Sequence, residues 1–237
     1  MVISPRMIDT SEPHLRDGEM MLLSKPKGWT SFDVVNKIRI LFRVKAGHAG
    51  TLDPMATGLL IVCTGAKTKE MVSFMGLEKE YRATMILGAR TASFDAESPV
   101  IQRSTTDDVT QERVAQVLQS FVGPQTQLPP MWSAAKVGGK RLYKYARKGT
   151  EVERRPREVL IKSITLGECN IPEVRFTVVA SKGTYVRTLV DDIGKELGCG
   201  AYLSALERIR IGEFLLTDAV SIEELVRFRF NEARPLI

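Results

Sequence analysis

Metal and redox chemistry have few ligands to work with in this chain. It holds three cysteines, Cys63, Cys169 and Cys199, and two histidines. No Cys-x-x-Cys pair occurs, so neither a zinc cage nor a disulfide framework is supported. Each cysteine is expected to be a small buried residue. No phosphate loop of the GxGxxG or GxxxxGK[ST] kind is present, so nothing points to a nucleotide cofactor. No apolar run approaches the roughly 20 residues of a bilayer span. Residues 1–19 mix Asp, Glu, His, Pro and Arg without an apolar signal core. The expectation is a soluble, cytoplasmic protein with no membrane attachment, metal or cofactor. Internal repeats and low-complexity linkers are also missing.

What is there is a chain of 237 residues, 43% hydrophobic, long enough to bury a sizeable core as one domain. Its charge is informative by location. Between Lys136 and Arg157 stand nine basic residues and two acidic ones, Glu151 and Glu153, a net of +7 in a chain whose total is +6, so everything else sums to −1. A basic run is usually a solvated face. Here Trp132, Tyr143 and Tyr145 are interleaved with Lys136, Lys140, Arg141, Lys144 and Arg147, and Gly138-Gly139 loosens the backbone. A mobile arm laid along a polyphosphate backbone needs that combination of cations, aromatics and flexibility. The segment from about 124 to 157 reads as a basic RNA-binding insertion.

Periodicity places the rest. Ser31 can cap a helix whose apolar positions Val34, Val35, Ile38, Leu41 and Phe42 end near a turn at Gly47. Residues 110–121 read as a second helix, with Val114, Val117, Leu118 and Phe121 on one face, stopped by Gly123-Pro124. Glu173 to Ser181 alternates as a half-exposed strand and leads through Gly183-Thr184 into a helix with Val186, Leu189, Val190, Ile193 and Leu197 inward. Ser221 to Glu224 reads as a capping box. Arg187 falls in the first turn of its helix, where the dipole disfavours a cation, so a nearby anion is expected to hold it. Asp53 is a candidate for that anion. Asp53 itself sits in Gly47-His48-Ala49-Gly50-Thr51-Leu52-Asp53-Pro54, where Gly50 and Pro54 would fix the backbone on either side of the carboxylate.

Five segments carry a resemblance in their order and content. They are Lys25-Pro26-Lys27-Gly28-Trp29-Thr30-Ser31, the Asp53 turn, Glu78 to Met85, Pro129 to Lys136 with the cations that follow, and Ser181 to Leu189 closing into Asp191-Asp192. Together, over roughly residues 20–215, they resemble the TruB-type tRNA pseudouridine synthases. The resemblance implies an α+β fold with a long, mostly antiparallel central sheet, flanking helices and an active cleft across it. It also implies a stand-alone, cofactor-free and monomeric enzyme that isomerises the uridine at position 55 in the T loop of tRNA.

Carried over residue by residue, the resemblance makes Asp53 the catalytic aspartate. Two routes are open to it, covalent attack on the substrate or removal of a sugar proton to give a glycal-like intermediate. Arg187 resembles the family's active-site arginine, whose charge would keep Asp53 ionised and oriented. Tyr81 resembles the active-site tyrosine, able to stack on the base and placed to take the proton from C5. Taken alone, Tyr81 reads as well as a core tyrosine and Arg187 as a surface cation. His48 is the candidate to support the extruded base. Lys25, with Pro26, would pack under the active-site loop, and Leu206 would line the base pocket. Many bacterial relatives continue into a small PUA-type domain. Here one catalytic domain over 1–237 is expected, with that appendage absent. The alternatives are a guide-RNA-dependent synthase subunit related to dyskerin, and an RNA-binding module or tRNA-folding chaperone.

Overall fold

The computed structural model describes residues 2–3 and 15–231, so the reading of residues 1–19 lies largely outside the described residues. The chain is mixed α+β, with a large β-sheet and six α-helices among the described residues. The long pairings are antiparallel: Met20–Lys25 with Thr57–Thr64, and Arg157–Asn170 with both Glu173–Ala180 and Gly123–Gln127. The parallel pairings recorded are short. The backbone forms two compact units, Met1–Lys79 with Glu207–Ile237, and Glu80–Leu206.

In the first unit the strand Thr57–Thr64 is buried at every position but Thr57, because both its faces are covered. On one side Leu60 and Val62 join Met21, Leu23, Val34, Val35, Ile38 and Leu225, which brings in the helices Ser31–Phe42 and Ile222–Asn231. On the other, Leu59, Ile61 and Cys63 join Met20, Leu22 and Ile211, with Met71, Phe74 and Phe214 packed against them. Burial on two faces is why Leu59 to Val62 is a continuous apolar run rather than an alternating one. The first helix is capped by Thr30. Its hydroxyl accepts the Asp33 N–H and the Asp33 carboxylate accepts the Thr30 N–H, a reciprocal capping box. Ser31, expected as the cap, is the first helical residue, and its hydroxyl is used elsewhere. The helix ends at Phe42, with Arg43 in the left-handed region at φ +52°, and Gly47 lies within the strand Ala46–His48 rather than at a turn. The capping box at Ser221 and Glu224 forms as expected.

In the second unit the sheet runs in the order Ala201–Ile211, Lys79–Leu87, Glu173–Ala180, Arg157–Asn170 and Gly123–Gln127. Glu173–Ala180 buries Val174, Phe176, Val178 and Ala180 on alternate positions. The helix Gln111–Ser120 is capped by Thr110 and buries Val114, Val117 and Leu118. The helix Val186–Glu196 buries Val186, Leu189, Val190 and Ile193. Pro124 belongs to a strand paired with the base of Arg157–Asn170, from Arg157 opposite Gln127 to Ile161 opposite Gly123. The excursion from the sheet is therefore 128–156, narrower than the expected insertion. Cys63 and Cys199 are buried, whereas Cys169 is half-buried near the end of the Arg157–Asn170 strand. Burial pushes the Cys63 thiol up to about 11, with Glu70 adding to the rise.

Candidate active site

Asp53 sits in the connection between two antiparallel strands of the first unit. Ala46–His48 pairs with Thr57–Thr64 from Ala46 opposite Thr64 to His48 opposite Val62, and the Ala49 N–H continues the ladder to the Ile61 carbonyl at 2.9 Å. The strands part at Gly50, whose φ of +105° few other residues adopt. The connection returns through a turn in which the Ala56 N–H donates to the Asp53 carbonyl at 3.1 Å. Pro54 occupies the second turn position, which suits its fixed φ. Asp53 is half-buried at the head of this turn. His48 is on the same hairpin, at the end of its first strand.

Buried donors hold the connection. The Ser31 hydroxyl accepts the Leu52 N–H at 2.8 Å and donates to the Leu52 carbonyl at 3.1 Å. The Lys25 ammonium is fully buried and donates to the carbonyls of Pro26 (2.9 Å), Trp29 and Pro54 (3.3 Å). The Pro54 carbonyl also accepts the Gly28 N–H at 2.8 Å. Lys25 is thus brought together with the Asp53 turn. A buried ammonium satisfied by carbonyls holds backbone.

Arg187 and the partners described next lie in the second unit. Its guanidinium lies 3.2 Å from the Asp95 carboxylate, with 4% and 1% of the two side chains exposed. It also donates to the carbonyls of Ser93 (3.1 Å) and Trp132 (2.8 Å). The other Asp95 oxygen accepts the Glu97 N–H at 3.0 Å and the Ser93 hydroxyl. The Asp95 loop is pinned to the Ala201–Ile211 strand, since Leu203 donates to Phe94 and Ala96 donates to Leu203, both at 3.0 Å. At the helix start, Gln127 accepts the Tyr185 N–H at 2.9 Å, where Tyr185 offers no cap of its own. One anion beside Arg187 is Asp95, and Asp53 lies in the first unit.

Tyr81 and Leu206 lie on the neighbouring strands Lys79–Leu87 and Ala201–Ile211, with 9% and 8% exposure. Tyr81 shares its buried face with Ala83, Met85 and Leu87. Beyond them, Gly138 and Gly139, with φ of +55° and +79°, make the turn of a hairpin between Lys136–Val137 and Lys140–Arg141. A short helix, Leu142–Ala146, follows. The glycines here shape a tight turn rather than merely loosening the backbone. Lys136, Lys140, Arg141, Lys144 and Arg147 are all exposed, and the Arg147 guanidinium lies 5.4 Å from the centroid of the Tyr143 ring.

Asp95, Ser31 in its actual role, and Arg208 escaped the sequence reading. Asp95 was signalled weakly by serines on both sides, Ser93 and Ser98, a turn composition with an acid at its centre. Arg208 was signalled by its place in a strand whose buried positions also include Leu203, Leu206 and Ile211, where a cation is out of keeping.

A family model described as TruB family pseudouridylate synthase (N terminal domain) matches residues 38–186, and one described as tRNA pseudouridylate synthase B C-terminal domain matches 187–234. The chain is 48% identical over 217 residues to the tRNA pseudouridine synthase B of Phocaeicola vulgatus, covering 89% of this chain and 92% of that protein. It is 49% identical over 218 residues to the protein of that name from Parabacteroides distasonis, covering 89% and 93%. A solved structure described as a Cbf5-Nop10-Gar1 complex matches with a TM-score of 0.72 at 30% identity, over 94% of this chain and 60% of that one. An H/ACA RNP bound to a substrate RNA containing 2'-deoxyuridine matches with a TM-score of 0.70 at 28% identity, over 94% and 59%. The chain spans about three fifths of the length of these two solved chains. With the Asp53 turn and the buried Arg187 in place, these matches show that the chain belongs to the TruB family of pseudouridylate synthases.

Proposed function

We propose that this chain isomerises uridine to pseudouridine in tRNA, at the T-loop uridine conventionally numbered 55, as a stand-alone enzyme without cofactor. The N1–C1′ bond of the nucleotide breaks, the base turns, and a C5–C1′ bond forms. The proton lost from C5 is balanced by one gained at N1, so there is no redox change and no net hydrolysis. The observation that carries this reading is the Asp53 turn. It is a half-buried carboxylate on a connection whose neighbouring peptides are held by Ser31 and Lys25.

Asp53 acts on the sugar, by attack at C1′ or by removal of a sugar proton. Arg187 supplies fixed positive charge to the site, aimed by Asp95. Tyr81 stacks on the base and takes the C5 proton. His48 supports the extruded state and Leu206 lines the base pocket. Lys136, Lys140, Arg141, Lys144 and Arg147 contact tRNA phosphates on an arm that serves a single catalytic domain. The enzyme works in the cytoplasm as a monomer. Among the described residues no helix is long and apolar enough to cross a membrane.

A guide-RNA-dependent reading has one observation in its favour, the likeness to the Cbf5 complex. The 48% identity over 92% of a bacterial tRNA enzyme outweighs it. Incubation with an unmodified tRNA transcript, without guide RNA or partner proteins, followed by pseudouridine mapping, decides between them. Modification confined to the T loop supports the stand-alone reading. A requirement for guide RNA overturns it.

A further inference from the structure

We propose that Arg208 and Ser31 are positioning residues for Asp53, closing the connection that carries it from both sides. The inference rests on the reading of Asp53 as the reacting carboxylate and goes beyond it. Arg208 is 1% exposed. It lies in the Ala201–Ile211 strand, opposite Gly58 in a short parallel pairing. That contact is close enough to exclude any side chain, since a Cβ on Gly58 would stand 2.4 Å from the Arg208 carbonyl oxygen. The Arg208 backbone is therefore fixed against the returning limb of the Asp53 connection.

Its side chain then reaches both limbs where the ladder between them fails. The last regular bond joins Ala49 to Ile61. One step further on, Nε donates to the Leu59 carbonyl at 2.7 Å and Nη2 donates to the Gly50 carbonyl at 3.2 Å. The guanidinium takes the place of a cross-strand pair as the strands diverge. A planar fork with donors on different nitrogens can bridge two carbonyls in fixed geometry, which a lysine ammonium on a flexible stem does not reproduce. Residues 51–58 thus span two points held by one side chain. Between them Ser31, 1% exposed, fixes Leu52 through both its N–H and its carbonyl, one residue from Asp53. Neither residue needs to touch substrate. Each sets where the carboxylate stands, and a misplacement of about 1 Å can cost on the order of 10²-fold in rate.

The test is single-turnover pseudouridine formation by the full-length protein on unmodified tRNA transcript, comparing wild type, Arg208→Lys and Ser31→Ala, with tRNA affinity measured alongside. A positioning role lowers the single-turnover rate constant by roughly 10- to 100-fold while tRNA affinity stays within a few-fold. A merely structural role lowers the amplitude, as fewer molecules fold, and leaves the rate constant of the folded fraction unchanged. If Arg208→Lys does not fold, Ser31→Ala, which removes one oxygen, decides alone. Rate constants within about twofold of wild type in the folded variants overturn the proposal. A wild-type protein that forms no pseudouridine overturns the functional reading itself, and the positioning roles fall with it.

Discussion

Arg187 and Asp95 form an ion pair at 3.2 Å with both side chains almost wholly removed from water, and the Asp95 carboxylate is itself anchored by the Glu97 N–H and the Ser93 hydroxyl. An arginine in the first turn of a helix works against the helix dipole, so the pair explains why Arg187 is tolerated there. Removing either charge takes a buried partner from the other, and breaking a buried pair costs up to about 3–5 kcal/mol. Asp95→Asn is expected to lose stability of that order in denaturant unfolding. The double variant Asp95→Asn with Arg187→Met is expected to lose less than the sum of the two single changes. Additive losses would show that the pair is not coupled.

Tyr81→Phe keeps the ring on the buried face of its strand and removes only the hydroxyl. If that oxygen takes the C5 proton, turnover falls by roughly 10²-fold or more with tRNA affinity little changed. Release of tritium from C5-labelled uridine measures the step directly. Near-normal release would leave Tyr81 a packing residue.

The exposed cations of the 136–147 hairpin and helix offer an ionic-strength test. Each phosphate neutralised releases counterions, so log affinity falls by roughly 0.7 to 0.9 per contact against log salt. Neutralising Lys140, Arg141, Lys144 and Arg147 together is expected to weaken tRNA binding and flatten that slope, while chemistry at saturating tRNA survives. An unchanged slope would mean that the basic run is a solvated face.

The capping box that opens the Ser31–Phe42 helix makes a prediction about acid stability. Hydrogen bonds from the Thr30 hydroxyl and backbone N–H hold the Asp33 carboxyl below its ordinary value. Because the folded value is the lower one, the stabilisation is complete above the unfolded value and is lost as pH falls through the folded one. Urea unfolding of wild type and Asp33→Asn should therefore differ near neutrality and converge in acid below the ordinary carboxylate range. A gap that persists unchanged in acid contradicts this account of the cap.

Much of the scaffold was legible because local chemistry and burial agreed. Alternation in Glu173–Ala180, helical spacing at Val114, Val117 and Leu118, and the Ser221 capping box all reappear in the structure. The Asp53 turn was legible because Gly50 and Pro54 impose backbone geometry locally. What was not legible depended on distant partners. Thr30 and Ser31 are both cap residues by type; the Asp33 carboxylate reaches back to Thr30, and the Ser31 hydroxyl is taken up by the distant Leu52. Asp95 meets Arg187 across 92 positions of sequence, and Arg208 meets Gly50 across 158. No periodicity encodes such pairs. Gly138-Gly139 was read as loosening because glycine permits both freedom and a tight turn, and the pairing of Lys136 with Arg141 selects the turn.

The most direct test of the account is Asp53→Asn assayed for pseudouridine in the T loop of an unmodified tRNA transcript, with tRNA binding measured in parallel. The substitution replaces one carboxylate oxygen and leaves the cations that would carry binding untouched. The account predicts no detectable pseudouridine and an affinity within a few-fold of wild type. Substantial pseudouridine formation by the variant would contradict it.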